Sequence, residues 1–240
     1  MAMYSIRPIA LCQGSRDLSQ YTYGMNFGTV CKSVSYIWYI EGSSPKTIVD
    51  TGMKATGGFG EVLTPPEEGL AKVGIKPEDI GIVILTHLHS DHVALGPLYK
   101  NAKFIVQKKE LDYALKPHVI DAFLYNRSML EDLKDLELIN GKKEIIPGVS
   151  VFLSPGHTPG GQSVEIETAA GKVIIPGFCC RLDTFAQTED MARRGLEVAT
   201  PLIHQDVRQA YDSILHVKRK ANIILALHDP AYIGKNRIPE

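Results

Sequence analysis

Three imidazoles and one carboxylate stand within six residues, at His87-Leu88-His89-Ser90-Asp91-His92. Neutral imidazole and carboxylate are the ligands that zinc and similar divalent ions take. His87 and His89 are two apart, so in extended chain they project to the same side. Asp91 and His92 follow and can approach from another direction. Burying four such groups without partners is costly, so a metal site accounts for the cluster better than packing does.

The element that must hold this cluster is the run before it, residues 80–85, short, apolar and rich in β-branched side chains, which reads as a buried strand. The same layout recurs twice. Residues 149–153 read as a strand, followed by the tight loop Ser154-Pro155-Gly156-His157-Thr158-Pro159-Gly160-Gly161. Residues 223–226 read as a strand ending at Leu227-His228-Asp229-Pro230. Loops at strand ends are where scaffolds place reactive groups, and glycine and proline around His157 predict a constrained backbone. Asp50, after the short strand 47–49, is placed either to accept a hydrogen bond from a ligand imidazole or to form a turn. His118, His204 and His216 lack such a setting and are read as surface or helix residues.

Elsewhere, residues 4–11 and 34–40 read as strands, 13–28 as an irregular loop, and 53–66, rich in glycine and proline, as a surface loop. A short helix is predicted over 67–73 and a strand over 103–106. Helical spacing covers 108–115 and 119–136, with Leu124, Leu130 and Leu133 as core candidates and the charged run 131–137 as a solvated helix face. Residues 162–167 and 172–175 resemble a β-hairpin, and 206–220 the last helix. Strands and helices are interspersed without a linker or repeat, which predicts one α/β domain over residues 1–240 with two stacked sheets.

The chain has 240 residues, 44% hydrophobic and 22% charged, with a net charge of −1, ordinary values for a globular protein that leave no field to draw nucleic acid or an anionic membrane. No apolar run approaches the ~20 residues that span a bilayer, and the first residues lack the layout of a secretory signal. The four cysteines (Cys12, Cys31, Cys179, Cys180) do not make a disulfide framework, so a reduced, cytoplasmic setting is expected.

His-x-His-x-Asp-His after a strand, with Pro-Gly-His-Thr-Pro-Gly further on and Ile48-Val49-Asp50-Thr51-Gly52 before it, resembles the metallo-β-lactamase fold superfamily. Phe104-Ile105-Val106-Gln107, Pro147-Gly148-Val149 and the loop around His157 are similar to its N-acyl-homoserine-lactone lactonase branch. The resemblance implies an αββα sandwich of two mixed β-sheets flanked by helices, with metal at one edge. It implies His87, His89 and His157 on one ion, and Asp91, His92 and His228 on the other. Where the lactonases carry an Asp bridging both ions, this chain reads Ile175-Pro176-Gly177-Phe178-Cys179-Cys180, and strict counting puts Phe178 on the Asp. Thiolate is a good zinc ligand, so Cys179 is the first candidate for that place and Cys180 the second, against a reading of both as small buried residues. Where the branch carries a Tyr for the substrate carbonyl, Arg181 stands.

The expected activity is hydrolysis of a lactone or related cyclic ester by metal-assisted hydroxide attack on the carbonyl, with Asp91 orienting the nucleophile and protonating the leaving alkoxide. Arg181 is a candidate for the oxyanion, and Tyr23, Met25, Phe27, Tyr125 and Phe185 are candidate pocket walls. The expected cofactor is zinc, one or two ions, with iron or manganese compatible. The expected partner is a small-molecule substrate, with a homodimer allowed and neither nucleic acid nor membrane. The alternatives are a mononuclear-iron oxidoreductase of the persulfide dioxygenase kind, and a thioesterase or amide hydrolase on the same fold.

Overall fold

The computed structural model describes residues 3–56 and 59–240; residues 1–2 and 57–58, the latter within the predicted 53–66 loop, lie outside it. Seven strands form the first sheet: β1 (Ser5–Asp17), β2 (Val30–Glu41), β3 (Thr47–Val49), β4 (Glu61–Val62), β5 (Ile82–Ile84), β6 (Lys103–Gln107) and β7 (Leu136–Ile139). They lie in the order β4-β1-β2-β3-β5-β6-β7. Five more, β8 (Lys143–Ile146), β9 (Val149–Leu153), β10 (Gln162–Thr168), β11 (Gly171–Ile175) and β12 (Ile223–Ile224), form the second in the order β12-β11-β10-β9-β8. Both sheets are mixed. β3, β5, β6 and β7 run parallel, β1 pairs β2 antiparallel, and β12 is parallel to β11 in an otherwise antiparallel meander.

Alternation along β2 shows why the sheets stack. Tyr36, Trp38 and Ile40 face the second sheet and pack with Val149, Val151, Val164, Ile166 and Val173. Ile37 and Tyr39 face the other way, with Ile48, Val83 and Val106, onto an outer helical layer. That layer uses α1 (Pro66–Lys72) through Leu70, α2 (Ser90–Val93) through Val93, α3 (Lys108–Ala114) through Ala114, and α4 (Arg127–Glu131) through Leu130. On the far side of the second sheet, Phe152, Ile174 and Phe178 pack with α5 (Leu182–Phe185) and α7 (Val207–Lys220), through Phe185, Ile214 and Val217. α6 (Glu189–Arg193) precedes α7. A strand with two buried faces reads as a continuous apolar run, which is why 34–40 carries so few polar residues. The predicted αββα layering is the observed one.

Three expectations are corrected. The 13–28 segment is not all loop: β1 continues to Asp17, pairing Gly14 with Ser33 and Ser15 with Lys32. A long partner strand overrides the weak strand preference of Gly and Ser. The predicted helix over 119–136 is broken into a short 3-10 turn at Ala122–Leu124 and the five-residue α4, while Val119, Ile120 and Phe123 are exposed. Leu130 and Leu133 are core residues and Leu124 packs against them. The charged run 131–137 is no helix face either, because Leu136 and Glu137 pair with Phe104 and Ile105 as β7. Strands β7 and β8, four residues each, flank Asn140-Gly141, a turn signal that here carries the chain from the first sheet to the second instead of closing a hairpin.

Candidate metal centre

The carboxyl ends of β3, β5, β9, β11 and β12 converge on one rim of the sandwich, the edge at which open α/β sheets place their ligands. Asp50 follows β3, the 86–92 segment follows β5, His157 lies beyond β9, Cys179 beyond β11 and His228 beyond β12. Around this rim lies a cavity of about 510 Å³ lined by His87, His89, Asp91, His92, His157 and His228, with Cys179 also in its wall.

Two groups of ligand-type atoms converge there, His87 with His89 and His157, and Asp91 with His92 and His228, the atoms of each group lying within 4.8 Å of one another. The rings of the first group stand 4.7, 4.9 and 4.8 Å apart in pairs, and His87 and His92 are 4.1 Å apart across the groups. All five imidazoles are buried.

Hydrogen bonds behind the rings determine which nitrogen faces inward. Nδ1 of His157 donates to the Ile203 carbonyl at 2.7 Å and Nδ1 of His228 to the Val34 carbonyl at 3.1 Å, since a carbonyl can only accept. Nδ1 of His92 donates to the Asp50 carboxylate at 2.7 Å. The same carboxylate accepts from the Thr86 amide and hydroxyl, both at 2.7 Å, leaving that hydroxyl oxygen to accept from His87 Nδ1 at 3.1 Å. Asp50 therefore orients two ligand-type rings at once, as the first of its two sequence readings had it. With Nδ1 occupied, the Nε2 lone pairs are turned inward. Nε2 of His92 and Nε2 of His157 are buried with no hydrogen-bond partner. Orphaned buried nitrogens are rare, and here they point where a cation would take them up. The donor set of imidazole and carboxylate fits zinc chemistry.

Electrostatics agree. Burial, then the neighbouring imidazoles, hold His87 and His89 well below the ordinary histidine value. Burial chiefly brings His157 and His228 to about 4, so both are neutral ligands at pH 7. Burial pushes Asp91 up, but the imidazoles of His92, His228 and His89 more than offset it and hold the carboxyl at about 2. For His92 burial pulls down, and the Asp91 and Asp50 carboxylates win, raising it to about 9. In the metal-free chain the charged His92 stabilises the fold fully below its unfolded value of roughly 6.5, and that contribution is lost as pH rises through about 9. A cation bound at Nε2 must displace this proton. In Cys179→Ser protein, which has no thiol proton to give up at the site, binding of divalent ions at pH 7.5 is expected to release about one proton from His92, read by calorimetry in two buffers of different ionisation enthalpy; no release would exclude His92 as a ligand.

One buried residue ties the loops together. Glu110, on α3 and fully buried, accepts from the Leu88 amide at 3.0 Å and from the Gly160 amide at 3.0 Å, one oxygen to each. The first amide lies between His87 and His89, the second three residues after His157. Burial raises its pKa, and these hydrogen bonds oppose the rise. Glycine is required at 160 because a Cβ there would stand 2.2 Å from the Glu110 nitrogen. Gly156, at φ +121°, similarly admits the backbone of α7, its missing Cβ lying 2.1 Å from the Ala210 nitrogen. Glu110→Ala orphans two buried amides, at about 1–3 kcal/mol each. The variant is expected to lose roughly 2–6 kcal/mol of stability in denaturant titration and to hold metal less tightly.

Several sequence candidates fall elsewhere. Cys180 is buried in the outer apolar cluster, so it is no ligand candidate. Phe178 packs in that cluster too. Cys179 lines the cavity, but its sulfur is not among the two converging groups. Burial, then Asp91, push its thiol well up. Arg181 turns away from the cavity: it pairs with Asp183 at 3.0 Å and Asp229 at 3.9 Å and donates to the Lys32 carbonyl. Tyr23 and Met25 line a separate cavity against Val198 and Tyr211, Phe27 is exposed, and Phe185 belongs to the outer cluster. Tyr125 alone of the five stands at the site, edge-on to His89 at 4.8 Å. Among the cavity-lining residues not foreseen are Arg16, Tyr21 and Phe59. They sit in stretches read as loop, where no periodicity marks an inward face. His118, His204 and His216 are outside the site, as read; His204 Nδ1 meets the Pro201 carbonyl at 2.8 Å.

A model of the metallo-beta-lactamase superfamily matches residues 32–226, most of the chain and all of the histidine-bearing loops but the last. The chain belongs to the metallo-β-lactamase superfamily. An N-acyl homoserine lactonase of Bacillus cereus is 28% identical over 178 residues, covering 66% of this chain and 68% of that protein. A probable metallo-hydrolase of Methanocaldococcus jannaschii is 34% identical over 162 residues, covering 68% of this chain and 63% of that one. Among solved structures, an N-acyl homoserine lactone hydrolase with the product N-hexanoyl-L-homoserine bound at its catalytic metal centre superposes with a TM-score of 0.73. It is 26% identical, with 96% of this chain and 95% of that chain covered. This superfamily member thus carries the lactonase-like arrangement over nearly its whole length. Among the described residues no helix is long and apolar enough to cross a membrane.

Proposed function

We propose that this protein is a metal-dependent hydrolase that opens lactones, with His87, His89 and His157 holding one divalent ion and Asp91, His92 and His228 the second. Zinc is the proposed metal, and iron or manganese suits the same donors. The observation that carries the reading is that the buried Nε2 atoms of His92 and His157, inside the two converging groups, make no hydrogen bond. The likeness to lactonases supports the substrate class. The four thiols are free, which supports a reducing, cytoplasmic setting.

A bound divalent ion supplies Lewis-acid polarisation of the ester carbonyl and lowers the pKa of water toward neutrality. The chain does the rest. Asp50 and the Ile203 and Val34 carbonyls keep the imidazoles in the orientation that aims Nε2 inward. Asp91, ionised at neutral pH and partly open to the cavity, orients the attacking water and takes its proton at a carboxylate oxygen. Water oxygen joins the carbonyl carbon, the ring C–O bond breaks, and Asp91 returns the proton to the leaving alkoxide. The product is a hydroxy acid, whose carboxyl loses the second water proton to solvent at neutral pH and leaves as a carboxylate. Phe59, Phe123, Leu202 and Ile203 supply apolar surface to the cavity wall. Cys179, in the same wall, is proposed to complete the second ion's shell as a thiolate in place of a carboxylate. With its thiol held up by burial, it ionises only against a bound cation.

Elemental analysis of protein purified without added metal, paired with a lactone panel before and after chelation, tests this. Two ions per chain and ring opening that chelation removes and metal restores are expected. Oxygen consumption by iron-loaded protein, with no lactone opened, would replace this reading with the iron oxidoreductase.

A further inference from the structure

We infer that Tyr125 is a positioning residue for the first ion: its aromatic ring holds the His89 imidazole in the orientation that ligation needs. The inference rests on the metal-site reading and concerns the His87, His89 and His157 group alone, so it can fail while that reading stands.

Five imidazoles converge on the rim, and four are held by a hydrogen bond at Nδ1: His87 by the Thr86 hydroxyl, His92 by Asp50, His157 by the Ile203 carbonyl and His228 by the Val34 carbonyl. His89 is the exception. Among the described residues its ring makes no hydrogen bond, and although the residue opens α2 its side chain does not cap that helix. The last torsion of a histidine side chain is broad, with two nearly equivalent settings half a turn apart, so packing must fix this ring. A ring free to turn presents its lone pair to the ion only part of the time, and affinity falls by that fraction.

Three rings stand against His89: His87 at 4.7 Å, His157 at 4.8 Å and Tyr125 at 4.8 Å. The two histidines are ligand-type residues of the same group. Tyr125 brings no ligand atom and stands at 68° to the imidazole, the edge-on geometry that aromatic rings favour at roughly 4.5–7 Å between centroids. The chain anchors it on both flanks. Ser90, the residue after His89, donates from Oγ to the carbonyl of Leu124, the residue before Tyr125, at 3.0 Å. Asn126, the residue after Tyr125, caps α4 by accepting from the Ser128 amide at 3.0 Å. The Tyr125 ring also meets that of Tyr113 on α3 at 5.9 Å, and Tyr113 is itself tied to Asp121 at 2.6 Å. The hydroxyl is not the working part. Tyr125 is 8% exposed, and its buried hydroxyl finds no hydrogen-bond partner among the described residues. Burying a hydroxyl in this way is a cost, and a phenyl ring would fill the same place without it.

The test titrates metal-loaded wild type, Tyr125→Phe, Tyr125→Leu and Tyr99→Leu with a zinc chelator and counts the ions left on each chain. Tyr99 is the matched control: it lies in the same apolar cluster, its buried hydroxyl likewise makes no hydrogen bond, and among the described residues it has no ring contact with a histidine. Tyr125→Leu is expected to bind one of its ions about ten- to a hundredfold less tightly, the usual loss when a ligand's support is removed. Tyr125→Phe and Tyr99→Leu should follow wild type. Combined with Asp91→Asn, which loosens the second ion, Tyr125→Leu should leave no ion bound where each single variant keeps one. Excess zinc should restore turnover in Tyr125→Leu, because all three ligands remain and only their alignment suffers. Tyr125→Leu that holds both ions as tightly as wild type overturns the inference and leaves the metal reading intact, and so does a double variant that keeps one ion. Loss in Tyr125→Phe would move the role to the hydroxyl, and equal loss in Tyr99→Leu would reduce it to general stability; either overturns the inference. Wild type that binds no divalent ion overturns the metal reading together with it.

Discussion

Replacement of His87 by alanine is expected to empty the first ion site and to cut lactone hydrolysis by roughly a thousandfold or more. Lewis-acid assistance contributes several kcal/mol, and each 1.36 kcal/mol is about tenfold in rate. His87 is the residue to remove because its ring is packed between the two groups, 4.7 Å from His89, 4.9 Å from His157 and 4.1 Å from His92. Its loss should register in elemental analysis as well as in turnover, with circular dichroism confirming that the sandwich persists. Excess zinc should restore little, since two imidazoles cannot replace three. Full turnover in this variant would dismiss the metal assignment.

Asp91→Asn is expected to lower kcat by about 10²–10⁴, the usual worth of a positioned acid–base group, with KM much less affected. The substitution keeps shape while removing the charge and the ability to carry a proton. Its Oδ2 lies 3.4 Å from Nε2 of His92 and 3.8 Å from Nε2 of His228, so the second ion loses its one carboxylate as well. Metal content should therefore fall toward the ion held by His87, His89 and His157. Removing the negative charge also takes away one of the two carboxylates that raise His92, so the proton released on metal binding should become easier to displace. Retention of two tightly held ions with unchanged kcat would assign both roles elsewhere.

Much of the site was legible because its chemistry is local. Side chains two apart on an extended segment share a side, so His87 and His89 announce themselves as a pair, and a buried strand before them announces the rim on which they stand. His157 and His228 repeat the same strand-then-loop layout, and the hairpin of β10 and β11 followed from its alternation and turn. Cys179 and Cys180 mark the limit of such reading. Adjacent residues after a strand point to opposite sides, and which of them faces the cavity depends on what covers each face. Here α5 and α7 cover Cys180, and the rim leaves Cys179 in the wall.

The residue types of the centre, their spacing and a single α/β domain with two stacked sheets were legible in the amino-acid sequence alone, because apolar periodicity and ligand chemistry are properties of short stretches; the αββα layering came from the family resemblance. Only the tertiary structure decided that Glu110 clamps two loops from α3, that Arg16 reaches the cavity while Arg181 turns to Asp183 and Asp229, and that 119–136 is no continuous helix. These depend largely on partners far along the chain, 22 and 50 positions away for Glu110 and 149 for the Lys32 carbonyl that Arg181 meets, or on which face a neighbouring layer covers. Pairing and burial over such distances gain more free energy than local preference can oppose.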